Sequence, residues 1–204
     1  MGHSQADKAQ THQRLVQAAA GQFRAHGIEG ISLSDLMKQL GLTHGGFYKH
    51  FGSRDELVGE AVEYALAESD QNMRDLLFKD GKPDLARFVR TYLSETHRDS
   101  RSSGCSISAL SADVARKGGD LQALFRDQIE RNIGTLSEAL EGVPAGQRRD
   151  RALLLLSALY GALMLARSSG DSRLSQEVLR TVGDKVLELG GAAPKKVRGA
   201  SRAA

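Results

Sequence analysis

Cysteine, proline and alternating β-type patterns are all scarce in this chain of 204 residues. Cys105 is the only cysteine, which excludes an internal disulfide and a multi-cysteine zinc site and fits a reducing compartment. The three prolines, Pro83, Pro144 and Pro194, fall between stretches of helical spacing. Proline is tolerated at a helix start but not in its interior, so these positions punctuate the chain. Apolar alternation of useful length is missing, which argues against a sheet. An excess of one charge is missing too. The formal net charge is +3, and much of it sits in "APKKVRGASRAA", where Lys195, Lys196, Arg198 and Arg202 meet no acidic residue. Any nucleic-acid contact must then rest on local placement rather than bulk charge. The N-terminal "MGHSQADKAQ" lacks the apolar stretch of a signal peptide. The longest apolar run, Ala152 to Ala166, reads as shorter than a bilayer span and is flanked by Arg151 and Arg167. The expectation is a soluble, cytoplasmic protein with no membrane partner. No nucleophile–base motif, phosphate loop or metal signature occurs, so neither an enzyme nor a cofactor is expected, and no repeat suggests a solenoid.

What is present is helical spacing nearly everywhere, and it predicts an all-α fold of about nine helices. The first runs from about residue 8 to His26, with Leu15, Ala19 and Phe23 in one row, and Gly27 ends it. Ser32 followed by Asp35 is a capping signal that opens a helix over Leu33–Leu40, stopped by Gly41. Thr43 can cap a third helix over His44–Phe51, and Ser53 with Glu56 opens a fourth that continues to about Leu77. Further helices are expected around Leu85–Leu93, Ile107–Val114 and Leu121–Leu140, then after Pro144, and over Leu174–Leu189.

The stretch "GLTHGGFYKHFGSRDEL" joins two short helices through the tight turn "GLT". That is the spacing of a helix-turn-helix, whose second helix enters the major groove of DNA. Leu36, Leu40, Leu42, Phe47 and Phe51 supply the inward positions; His44, Gly45, Tyr48 and Lys49 point outward, with His50 at the margin. Thr43, His44 and Lys49 can hydrogen-bond base edges or phosphates, and the Tyr48 hydroxyl can reach a phosphate. Gly45 and Gly46 are costly in a helix, by about 1 kcal/mol each against alanine. Their place here is explained if the backbone approaches DNA or the first helix closely. The histidines form no ligand spacing with a carboxylate, so a metal is not expected.

From Gly27 to Leu57, "GIEGISLSDLMKQLGLTHGGFYKHFGSRDEL" resembles the DNA-binding domain of the TetR family of transcriptional regulators. The shared elements are a glycine after the first helix, a Thr/Ser-rich start to the second, the "G-L-T" turn, the "F-Y-x-H-F" third helix and the "S-R-x-x-L" start of the fourth. The resemblance implies phosphate contacts from Tyr48 and Arg54. It places Thr43, His44, Gly45 and Lys49 at or near bases, and Ser32 and Ser34 at the DNA backbone. It also implies an N-terminal helix-turn-helix domain over residues 1–52, a helical effector-binding and dimerisation domain over 53–191, and a basic tail over 192–204 read as disordered.

"ALLLLSALYGALMLA", residues 152–166, is apolar nearly all round, so it must be covered on every side. One face would meet the chain's own core and the other a second subunit; the plain alternative is a fully internal helix. The expected homodimer interface uses Leu155, Leu159 and Leu163 with Val178, Val182 and Val186, paired as a four-helix bundle of the kind TetR-family members use. The resemblance further implies an effector pocket, with Phe88, Tyr92, Cys105, Leu110, Phe125, Ile129, Tyr160 and Met164 as candidate lining. That choice suits a hydrophobic small molecule with few polar anchors. Cys105 stands at a predicted helix start, which opens a redox-sensing reading beside the plain one of a small buried side chain. The expected function is a dimeric repressor of a palindromic operator in double-stranded DNA, released by a small-molecule effector. The alternative is a helical adaptor that keeps the fold without reading DNA.

Overall fold

The structure, a computed structural model, describes residues 5–191; the basic tail expected over 192–204 lies outside them. Among the described residues there are ten α-helices, with one two-residue hairpin and two 3-10 turns. α1 (Gln5–His26) buries Leu15, Val16, Ala19, Ala20 and Phe23 along one side. α2 (Leu33–Gln39) and α3 (His44–Phe47) follow, then the long α4 (Arg54–Leu77). β1 (Phe78–Lys79) and β2 (Lys82–Pro83) pair antiparallel, Phe78 opposite Pro83 and Lys79 opposite Lys82. The body continues through α5 (Leu85–Tyr92), α6 (Glu95–Asp99), a 3-10 turn at Arg101–Ser103 and α7 (Ser106–Lys117). α8 (Asp120–Ala139), a 3-10 turn at Ala145–Gln147, α9 (Arg148–Ser168) and α10 (Arg173–Leu189) complete it.

Two elements depart from the spacing argument. The hairpin has strands too short for alternation to register, yet "KDGK" carries its signal. Asp80 and Gly81 both take positive φ, 52° and 74°, as a tight primed turn demands and an Asp-Gly pair supplies. α6 is the additional helix; at five residues it has no readable period, and it exists because the Ser94 hydroxyl accepts the His97 N–H at 3.1 Å.

Two core clusters share α4 as a common wall. The first joins Phe23, Phe47, Phe51 and the first half of α4 to Leu110, Val114, Leu121 and Phe125. The second packs Leu77, Phe88, Ile133 and Leu136 against Leu155, Leu159, Leu163 and Val186. Each fully buried leucine contributes about 1.5–3 kcal/mol of transfer free energy. α4 therefore couples the N-terminal head mechanically to the body.

The apolar α9 is covered on one side only. Leu155, Leu159 and Leu163 are each 0% exposed, and Val186 is 1% exposed. They are therefore core of this chain, not the partner-facing positions expected from the sequence. Val178 and Val182 are half-buried against the same core. The apolar side chains left outside are Leu153, Leu154, Met164 and Leu165, between 41% and 61% exposed. The helix is the one expected but its open stripe is another, because periodicity in an all-round apolar helix cannot tell one face from another. By length and composition the segment Ala145–Ser168 is sufficient to cross a membrane, contrary to the sequence reading. Its inner face, however, packs against α8 and α10.

Candidate functional site

The head presents a short helix on a rigid base. The Ser32 hydroxyl accepts the Asp35 N–H at 3.0 Å and donates to the Asp35 carboxylate at 2.6 Å, closing the cap of α2. That hydroxyl is thus committed within the head, while Ser34 is exposed. Gly41 turns the chain with φ 66°, a left-handed conformation glycine adopts without strain. Thr43 caps α3 through its Oγ1, which accepts the Gly46 N–H at 3.2 Å. α3 ends at Phe47 rather than Phe51, since the His50 N–H bonds the Phe47 carbonyl, closing a three-residue turn. Phe47 and Phe51 are buried and stack with centroids 5.4 Å apart. They anchor the segment, and Tyr48 stands 60% exposed with its ring edge-on to Phe47. Thr43, Gly45 and Lys49 are exposed beside it; the side chain of His44 lies outside what the structure describes.

The double glycine has no packing cause among the described residues. A Cβ on Gly45 would meet nothing within 4 Å, and one on Gly46 would rest in ordinary contact at 3.5 Å from Thr43 Oγ1. Close approach to α1, one of the two explanations offered by the sequence, is excluded.

Two expected DNA contacts sit differently. Arg54 turns inward: its guanidinium donates to the Ile28 carbonyl at 2.5 Å and to both oxygens of Glu29 at 3.2 Å. It fastens the start of α4 to the loop after α1, so its expected phosphate contact is corrected to a structural role. A basic residue at a fixed distance after a helix cap looks the same in sequence whichever way it points. His50 is half-buried, with a buried Nδ1 that has no hydrogen-bond partner among the described residues. Burial, and after it the neighbouring His12, Lys8 and Lys49, push its pKa down. His12 in turn stacks on Phe51 and bonds Glu60 at 2.7 Å. His50 thus belongs to the seam between α1 and the reading segment.

In the body, α4, α5, α8, α9 and the segment from Ser94 to Cys105 enclose a cavity of about 700 Å³. Phe88, Tyr92, Cys105 and Tyr160 line it as expected. Leu110 and Phe125 do not, being buried in the first core cluster; Ile129 packs between the clusters, and Met164 is 41% exposed on the outer face of α9. The four missed the wall because helical spacing places residues on a face without saying which neighbour that face meets. Sequence reasoning also overlooked the polar lining: His97, Asn132, Ser69 and Asn72 border the same space.

Hydrogen bonds fix the state of these groups. The His97 Nδ1 lies 2.6 Å from the Tyr92 carbonyl and must donate; its Nε2 accepts the Cys105 N–H at 3.1 Å. The ring is therefore neutral, and burial lowers its pKa. Burial, with Cys105 next, raises both the Tyr92 and Tyr160 phenols above their ordinary value. The Tyr92 hydroxyl pairs with Ser108 Oγ at 2.9 Å. Gly104 permits this closure: a Cβ there would come within 2.7 Å of the Arg167 guanidinium and 2.9 Å of the Ser100 carbonyl. The 3-10 turn at 101–103 packs on α1, where a Cβ on Gly21 would sit 3.6 Å from the Ser102 carbonyl. One segment is thus both cavity wall and neighbour of the head.

Comparison with known proteins fits this geometry. Residues 15–61 match the model for "Bacterial regulatory proteins, tetR family". The HTH-type transcriptional repressor NemR of Escherichia coli is 26% identical over 154 residues, covering 70% of this chain and 77% of the relative. An uncharacterized HTH-type transcriptional regulator of Mycobacterium tuberculosis is 26% identical over 173 residues, covering 78% of this chain and 85% of the relative. Among solved structures, a TetR transcriptional regulator of Chloroflexus aurantiacus superposes with a TM-score of 0.75 at 23% identity, covering 90% of this chain and 97% of that one. The reduced form of Escherichia coli NemR gives 0.72 at 24% identity, with 88% and 96% covered. Residues 15–61 thus form a DNA-binding domain of the tetR-family type, and the body shares the fold of solved TetR-family regulators.

Proposed function

We propose that the protein is a dimeric, cytoplasmic repressor that reads a palindromic operator with residues 43–49 and releases it when a small hydrophobic molecule fills the body cavity. The observation that carries the reading is Gly45. Its exposed position meets no packing neighbour among the described residues, and it lets a backbone lie close against a base pair. Thr43, His44, Tyr48 and Lys49 flank it as polar contacts, with Ser34 and the backbone of Ser32 toward phosphates. With few long side chains on this face, the shape of the groove carries a larger share of specificity.

The second subunit would cover the open stripe of α9. Leu154, Gly161 and Leu165 follow one another at seven and four residues, beside Leu153, Ser157 and Met164. A two-fold axis through this stripe sets two heads about one DNA turn (~34 Å) apart. Head and body meet functionally near residue 53, although the first core cluster runs across that point. A ligand in the cavity would displace the wall at 100–105, and with it α1 and α4. A differential affinity of about 1–3 kcal/mol between the two head arrangements is enough for release.

Selection from randomised duplex DNA tests the reading. A two-fold symmetric consensus is expected. A folded dimer that enriches no sequence at low salt would overturn it in favour of an adaptor.

A further inference from the structure

The cavity's chemistry can be read from the direction of its hydrogen bonds. The Asp70 carboxylate can only accept, and Gln128 Nε2 donates to it at 3.0 Å while Gln128 Oε1 takes Arg131 at 2.7 Å. The same Nε2 donates to Asn132 Oδ1 at 2.7 Å. Asn132 must then present its Nδ2 to Tyr160, where it donates to the hydroxyl oxygen at 2.8 Å. The chain of donors thus runs one way and ends on Tyr160. The Tyr160 O–H proton is left pointing onward, with no acceptor assigned to it among the described residues, on a side chain that borders the cavity.

The buried polar groups near Ser69 and His97 are spent on partners of their own. The Ser106 hydroxyl donates to the Ala65 carbonyl, so it accepts from Ser69, whose oxygen in turn takes the Ser106 N–H. Both nitrogens of His97 are bonded to backbone. The charged lining residues, Asp75 and Arg90, are exposed. The buried part of the wall therefore holds no charged side chain, and Tyr160 offers it a hydroxyl donor amid Phe88, Met73 and the two tyrosine rings.

Resting on the reading of this cavity as the effector site, we propose that it takes an uncharged, largely aromatic molecule bearing a carbonyl-type oxygen, which accepts the Tyr160 hydroxyl proton. An apolar ligand without such an oxygen leaves the Tyr160 donor unmatched, and a carboxylate loses its hydration with only the exposed Arg90 at the rim to meet it.

Three probes of one shape test this on the full-length protein by titration calorimetry: benzophenone, diphenylmethane and 4-benzoylbenzoate. Benzophenone should bind about 5–10-fold more tightly than diphenylmethane, the worth of one hydrogen bond, and more tightly than the carboxylate. In Tyr160→Phe the gap between benzophenone and diphenylmethane should close, with diphenylmethane binding unchanged. Equal affinities in the wild type, a tighter carboxylate, or no binding of any probe would overturn the proposal, whether or not the variant folds. Operator release is measured separately on a selected duplex. Benzophenone that binds as expected yet leaves the operator bound would remove the effector reading and keep the cavity's chemistry; the reverse failure leaves operator reading intact.

Discussion

Tyr48 in the head is 60% exposed, just past the end of a helix of four residues, whereas Tyr92 in the body is 7% exposed and bonded into the wall of a cavity. In the head, the residues proposed to act, apart from the cap residue Thr43, are those the fold needs least: the anchors are Phe47 and Phe51. In the body, the residues proposed to act are also the ones that hold the segment from 92 to 105 in place. The difference teaches that head function can be removed without unfolding the protein. Body function mostly cannot, save on the open face of α9.

That exception gives the largest expected effect. Leu154→Asp with Leu165→Asp should yield a folded monomer, with helical circular dichroism preserved and half the mass in sedimentation. Operator affinity should fall by about 10²–10⁴-fold as the bivalent grip is lost. A variant that stays dimeric would show that another face pairs the subunits.

Next comes the reading face. Tyr48→Ala with Lys49→Ala should weaken operator binding by about 10–100-fold, corresponding to one base or phosphate contact for each side chain. The melting temperature and dimer should stay as they were. Loss of stability along with binding would erase the contrast between head and body.

Arg54→Ala sharpens the comparison further, because the family resemblance and the structure disagree on it. With its guanidinium fastened to Ile28 and Glu29, its loss should lower stability by about 1 kcal/mol, mainly through the unsatisfied carbonyl. The salt dependence of DNA binding should keep its slope. A slope reduced by about 1 would restore the phosphate contact.

The smallest effect is a pH dependence in the body. Burial holds the His97 pKa below its ordinary 6.5, with Arg167 also lowering it and the bond to the Tyr92 carbonyl opposing. The unfolded chain then binds the proton more readily than the folded one. This group's stabilising contribution is complete above about pH 6.5 and is lost as pH falls below it. Thermal melts should show a decline from pH 7.5 to 5.5 that His97→Gln makes shallower, since glutamine can supply one donor and one acceptor without charging. An unchanged slope would mean that other groups, His50 among them, set the acid sensitivity.

The head was legible in the sequence because its determinants are local. Ser32, Thr43 and Ser53 each cap the helix that follows them, and the Gly41 turn needs only its own backbone. Arg54 escaped because its partner Glu29 lies on a separate loop, and a charge in a sequence carries no direction. In the body, helices were legible but their rotation was not. Leu110 and Phe125 share an apolar stripe with many equivalents, and only packing decided that they join the head's core while Phe88 and Tyr92 reach the cavity.

Amino-acid order by itself determined the helical class, the caps, the helix-turn-helix and the presence of one over-apolar helix, since each depends on neighbours within a turn or two. Tertiary structure alone decided which stripe of α9 stays open, that Arg54 faces inward, and that Asn132 delivers its amide to Tyr160. Those outcomes depend on side chains brought together from distant parts of the chain, whose mutual orientation is fixed only when the two cores close.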